Sequence, residues 1–405
     1  MPCLETGRAK AQSCHRRYYG SDITPPACMP ACKRSVRPMG KRCYLGCDVH
    51  EKSTTVCLAW KEGGDVKRRD LGEVSTTSEA LQEAAAGWAA AYAARLGELW
   101  PPVPVLEATG RSLLVHDALV PLMDEVWVVD PSEVKRLRGN RPKSDKEDAF
   151  TLGKLAAENL LHPLWVPSPE VLGLRAMVRV RRSAVERQTS LSNQLRALAK
   201  HGGHPIERGK ALSGANLGRL KEATWKTRDF AESIEFVIRE AESLAGALKD
   251  FEGRLQLRFA DNEYAQWLDT LPRCGVIGSL TLATEIGDIG RFRSAEALRS
   301  FSGLTPGHGE SAGKRYGSGL SKHGNRHLRC AFMTVANQMS FVRADEEELA
   351  GLFWREVHKR RQMRGAHLKA QAIVASRLCD IVYAMLRDGR GYEPRLAEPK
   401  VCRTA

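Results

Sequence analysis

The chain has 405 residues, 42% of them hydrophobic, and 62 basic against 48 acidic side chains give it a formal net charge of +14. That hydrophobic fraction supports packed cores and excludes a disordered tail protein, and the length accommodates two or three domains at roughly 150 residues each. No apolar run approaches the ~20 residues that a membrane span needs, so a cytoplasmic protein with no membrane partner is expected, and the positive charge suits a polyanion.

Residues 1–40 mix Pro, Arg, Cys and Ser without a period. They are expected to be a disordered basic extension, or upstream sequence from an over-long start assignment, with no signal peptide. Eleven cysteines are scattered along the chain. Cys28/Cys32 and Cys43/Cys47 each enclose three residues, but no Cys-x-x-Cys pair or zinc-finger histidine follows. They read as reduced thiols, with a zinc site from these two pairs as the alternative.

From Cys43 to Trp60 the pattern predicts two strands joined by a polar turn at His50–Ser53, and a third strand over Val66–Leu71. An Ala-rich helix follows over Ser75–Arg95, then a buried strand over Val103–Leu106 that ends at Glu107. A helix over Arg111–Leu122 and a strand over Val126–Val129 come next. Ser144 caps a further helix running to about Asn159, with Glu147 placed for a capping box. This order predicts an α/β mixed sheet with helical crossovers over residues 41–168, compatible with an RNase H-like domain. Over 169–266, apolar residues at helical spacing predict two long antiparallel helices around a Gly-rich stretch, a coiled-coil arm or a solvated helical linker. Residues 267–390 predict a mostly helical domain containing a Gly-rich basic loop, Gly303–Asn325, and residues 391–405 a tail.

Four carboxylates stand at positions where chemistry gathers. Asp48 lies inside the first strand, Glu107 ends a parallel strand, and Asp145 and Asp148 share one face of the first turn of a helix. Together they would repel, and a divalent cation with a preference for oxygen ligands resolves the repulsion. Individually, Asp145 and Asp148 also suit the positive end of a helix dipole, and Glu107 an ordinary strand end.

The segments around Asp48, Glu107 and Asp145–Ala149 resemble the Asp-Glu-Asp-Asp transposases of bacterial insertion sequences, the insertion sequence one-hundred-and-ten family, also described as bridge-RNA-guided recombinases. The likeness spans roughly Lys41 to Arg390. It implies a RuvC-like first domain whose tetrad Asp48, Glu107, Asp145 and Asp148 binds Mg2+ or Mn2+. It implies DNA as substrate, a structured guide RNA, a homodimer or homotetramer, and action at the bacterial nucleoid.

Further on, Gly303-Leu304-Thr305-Pro306 and Ser321-Lys322-His323-Gly324-Asn325 resemble the family's C-terminal transposase domain. The family's serine nucleophile lies between these two elements, which implies Ser311, with Ser318 and Ser321 as rivals and Ser302 as a decoy. Ser311 is followed by Ala312 where the family usually has glycine. A serine hydroxyl needs activation, and the resemblance implies that it comes where this domain meets the carboxylates. Lys314, Arg315, Lys322, Arg326 and Arg329 are candidate phosphate contacts, as are Lys135, Arg136 and Arg138 with Arg141 and Lys143. Leu271–Gly278 weakly resembles a helix-hairpin-helix turn. A metal-dependent nuclease or junction resolvase, and a non-enzymatic nucleic-acid-binding protein, are the alternative readings.

Overall fold

The computed structural model describes residues 42–96, 102–139, 144–206, 214–307, 309–311, 314–316, 319–321 and 323–394. The expected N-terminal extension, Arg141, Lys143, Ser318, Lys322 and residues 395–405 of the expected tail lie outside the described residues. The chain divides into two compact units at Val166/Pro167.

The first unit is built on a five-stranded mixed sheet: β1 (Cys43–Val49), β2 (Ser53–Glu62), β3 (Asp65–Ser75), β4 (Val103–Glu107) and β5 (Trp127–Val129). Their spatial order is β3-β2-β1-β4-β5. The first three strands are an antiparallel meander, and β4 and β5 are added in parallel. Side chains alternate along β1, and the two sets enter different cores. Cys43, Leu45 and Cys47 pack with helix α1 (Ser78–Leu96) and helix α2 (Ser112–Leu119) through Leu81, Trp88, Val115 and Leu119. Tyr44 lies in the opposite core, with Val105 and Val129, Val134 of α3 (Pro131–Arg138), and Leu152 and Leu155 of α4 (Asp145–Ala157). Helices therefore cover both faces, which explains why β1 and β4 are nearly continuous apolar runs.

Two local expectations differ. Helix α2 stops at Leu119 rather than Leu122, because Pro121 has no N–H with which to continue the helical hydrogen bonds. Helix α3 is an addition to the expected elements, because its dense charge leaves only one apolar position buried to mark it. Asp130 caps it, accepting from Ser132 N at 2.8 Å, with Pro131 at the first helical position.

The second unit opens with α5 (Pro169–His201), α6 (Gly214–Glu222) and α7 (Arg228–Ala260). Leu195 and Ala199 of α5 pack on Ile234 and Ile238 of α7, while Arg181 pairs with Glu252 at 2.6 Å. The late part of α5 thus meets the early part of α7 and the reverse, so the two helices are antiparallel. Val178 and Leu255, at the other end of the pair, join the core of the remaining helices. Those helices are α8 (Glu263–Asp269), α9 (Gly275–Ile286), α10 (Ala295–Ser302), α11 (Arg326–Gln338), α12 (Glu348–Lys359) and α13 (Ala366–Asp388). The Gly303–Asn325 segment, expected as a loop, contains an antiparallel hairpin of β6 (Gly309–Ser311) and β7 (Lys314–Tyr316). A bridge between Pro306 and Leu320 closes its base.

Candidate metal centre and serine hairpin

The acidic site of the first unit depends on two glycines. A Cβ at Gly46 would sit 1.8 Å from the carbonyl oxygen of Ala149, and one at Gly153 would sit 2.9 Å from Ala59 Cβ. Helix α4 consequently lies directly on β1 and β2. Its first turn is aimed at the carboxyl end of β1, and Ser144 Oγ caps it by accepting from Glu147 N at 3.3 Å. The expected capping box forms only its first half among the contacts seen, because the Glu147 carboxylate is engaged by Arg68.

Asp48 is two residues beyond Gly46 and so projects from the α4 face of the sheet. Its Oδ2 lies 3.1 Å from His50 Nε2, which lies 3.6 Å from Asp145 Oδ1. One potential ligand atom from each of Asp48, His50 and Asp145 falls within 4.8 Å of the others. Burial pushes the Asp48 carboxyl above its ordinary range; His50 opposes this, and the charges of Asp148 and Asp145 add to it.

The register pairs Gly46 with Val105 and Cys47 with Leu106. Glu107 therefore occupies the position beside Asp48 at the end of the neighbouring parallel strand, on the same face. Asp148, one turn along α4 from Asp145, has its Oδ1 2.5 Å from Arg138 Nη2. Of the four predicted acids, then, Asp48 and Asp145 converge through His50, Glu107 stands on the adjoining strand end, and Asp148 faces a guanidinium. Lys135 and Arg136 are exposed on α3, whereas Arg138 is turned to the acid.

Two carboxylates and an imidazole fit a divalent cation. Neighbouring ligand atoms around an ion with ~2.1 Å bonds are about 3 Å apart, close to the 3.1 and 3.6 Å seen here. Sequence reasoning passed over His50, placing it in a turn. The signal was present in the spacing, since residues i and i+2 of an extended segment share a face.

In the second unit, Ser311 ends β6 opposite Lys314, and Glu310 faces Arg315 across the hairpin. Ser302 is buried and its Oγ donates to Leu298 O at 2.7 Å, a helix-terminal packing role. Arg326 is exposed at the start of α11, but Arg329 donates to Ser321 O and lies against Gly303, where a Cβ would meet it at 2.7 Å. The Leu271–Gly278 segment turns α8 into α9, with Arg273 in the left-handed region at φ 58.

A second feature escaped the sequence reading. Glu285, buried in the apolar helix α9, receives both arms of Arg179 at 2.7 and 2.8 Å and Asn325 Nδ2 at 2.8 Å. Asn325 Oδ1 in turn caps α11, accepting from His327 N and Leu328 N at 2.9 and 3.1 Å. Burial raises the Glu285 pKa, but Arg179, Asn325 and Arg175 outweigh it and hold the carboxyl below its ordinary value. An acid among Leu280, Leu282, Ala283 and Ile286 was the available signal.

Two segments of the chain match models of known protein families. Residues 45–201 match a family model described as a transposase of the Asp-Glu-Asp-Asp type, and residues 265–351 match one described as "Transposase IS116/IS110/IS902 family". The chain is similar to the transposase for insertion sequence element IS1111A of Coxiella burnetii, 24% identical over 300 residues that cover 73% of this chain and 81% of the relative. It is similar to the pilin gene-inverting protein of Moraxella bovis, 27% identical over 305 residues, 73% of this chain and 83% of that one. A Sinorhizobium fredii relative, 27% identical over 212 residues, is matched over about half its own length (52%).

Proposed function

We propose that the chain is a transposase of the IS116/IS110/IS902 family, which its two matching segments support, and that it cuts and rejoins DNA through a metal-binding tetrad, Asp48, Glu107, Asp145 and Asp148, and a nucleophilic Ser311. The observation that carries this reading is the convergence of acids from β1 and α4 at one sheet edge, with Glu107 on the strand end beside them. The strand order β3-β2-β1-β4-β5 supports an RNase H-like scaffold.

A bound Mg2+ or Mn2+ supplies charge to offset the phosphate and to polarise the attacking group. Asp48, Glu107 and Asp145 would hold the cation, and Asp148, if freed from Arg138, would add a fourth carboxylate. Ser311 Oγ attacks a DNA phosphorus, its proton leaving to water as a deoxyribose oxygen departs. The resulting phosphoserine ester keeps the energy of the phosphodiester, so a free DNA hydroxyl rejoins by reverse displacement without ATP. Lys314 and Arg315, on the strand facing Ser311, and Arg326 at the start of α11 offset phosphate charge. Inversion of a gene segment, named as the activity of a relative, fits such conservative rejoining. The net charge of +14 suits both DNA and a structured guide RNA. The helical pair α5/α7 is the arm of a homodimer or homotetramer in which serine and tetrad come from different protomers. This work takes place at the bacterial nucleoid, and among the described residues no helix is long and apolar enough to cross a membrane.

The test is incubation of purified protein and co-purified RNA with DNA carrying the element's ends, with and without Mg2+. A covalent protein–DNA adduct is expected on denaturing gels, lost in Ser311→Ala and in Asp48→Ala. Metal-dependent cleavage that persists in Ser311→Ala with no adduct would replace this reading by a nuclease or junction resolvase. The compact tetrad unit with its own cores has the scaffold for that alternative.

A further inference from the structure

We infer that His50 is a metal ligand, so that the first cation sits in a mixed nitrogen–oxygen site, Asp48–His50–Asp145, that favours Mn2+ over Mg2+. This rests on the reading that the sheet edge holds a divalent cation.

One nitrogen faces both acids. His50 Nε2 is 3.1 Å from Asp48 Oδ2 and 3.6 Å from Asp145 Oδ1, and all three ligand atoms lie within 4.8 Å of one another. Neither acid of the pair is neutralised by a nearer guanidinium among the contacts seen, whereas Asp148 is.

The imidazole is carried on pinned backbone. His50 N donates to Ser53 O at 2.9 Å, and His50 O accepts from Thr76 Oγ1 at 3.1 Å. Thr76 is itself buried and bonded to Thr54 Oγ1 at 2.9 Å. The ring thus extends from a fixed point beside the end of β1, with half its side-chain surface still open to solvent. That exposure gives a cation and its retained waters an entry path.

The donor set then decides the ion. Mg2+ takes hard oxygen ligands and keeps several waters, while imidazole nitrogen suits transition metals. A single nitrogen among carboxylates therefore shifts preference toward Mn2+ without excluding Mg2+. Coordination through Nε2 would place the ring proton on Nδ1.

Pulsed EPR of the metal-free full-length protein titrated with Mn2+ tests the assignment. One imidazole 14N coupling is expected on the bound ion and is absent in His50→Asn. In competition with Mg2+, the preference for Mn2+ falls on the order of tenfold in that variant. If the wild type binds no Mn2+, the divalent-cation reading of the whole edge falls together with this inference. If Mn2+ binds without 14N coupling, or the coupling survives in His50→Asn, only the assignment of His50 is overturned.

Discussion

Arg138 on α3 holds Asp148 on α4, Nη2 to Oδ1 at 2.5 Å, with the two side chains only 13% and 23% exposed. A guanidinium from the protein therefore lies against the acid proposed as a metal ligand, and it offsets that acid's charge. Its helix also carries the exposed Lys135 and Arg136, so a phosphate contact there has a short mechanical route to the acidic edge.

Arg138→Ala should lower stability in EDTA by about 2 kcal/mol, between the worth of an exposed ion pair and the cost of breaking a buried one. The loss should shrink in saturating Mn2+, because the cation takes over the neutralisation, and Mn2+ should bind more tightly than to the wild type. Urea melts with and without Mn2+ measure this. An equal loss in both would remove the antagonism between arginine and metal.

Asp148→Asn should reduce strand transfer by several orders of magnitude, as expected for loss of a cation-binding carboxylate. From sequence alone, folding would be nearly unchanged. The Arg138 pair revises that to a loss of about 1–2 kcal/mol, since a partly buried guanidinium keeps only a neutral acceptor. Thermal unfolding of the two proteins in EDTA checks the revision.

Gly46→Ala should cost about 3 kcal/mol or more, because the added Cβ would lie 1.8 Å from a backbone oxygen that yields only if α4 lifts off β1. Mn2+ affinity should fall with it, as Asp145 moves with the helix. Gly87→Ala, on α1 with open space around it, should instead stabilise by about 0.5–1 kcal/mol. Parallel denaturant titrations separate the two, and a neutral Gly46→Ala would rule out the close approach.

Glu285→Gln should destabilise by about 3–5 kcal/mol at neutral pH, since it leaves Arg175 and Arg179 facing a buried neutral group. The folded carboxyl has a depressed pKa, so its contribution is present above the unfolded value near 4 and is lost as pH falls through the lower folded value. The gap between variant and wild type should therefore close in acid. A gap independent of pH from 7 to 3 would show that charge is not its source.

Much of the first unit was legible. The period-two pattern of β1, the apolar run of β4 and the Ser144 cap placed Asp48, Glu107, Asp145 and Asp148 on the correct elements, because those signals are local. His50 was passed over because a turn histidine carries no local mark of its partners. Arg138 read as a nucleic-acid contact because charge in sequence does not say which way a side chain turns. The hairpin around Ser311 was taken for a loop, since strands of three residues are too short to show alternation.

Strand and helix order, the positions of the acids and the basic balance were determined by the chain itself, through propensity, periodicity and capping that act over a few residues. Which acid meets a histidine and which an arginine was decided only in three dimensions. Gly46 and Gly153 let α4 lie on β1, and that packing brings together side chains nearly a hundred residues apart.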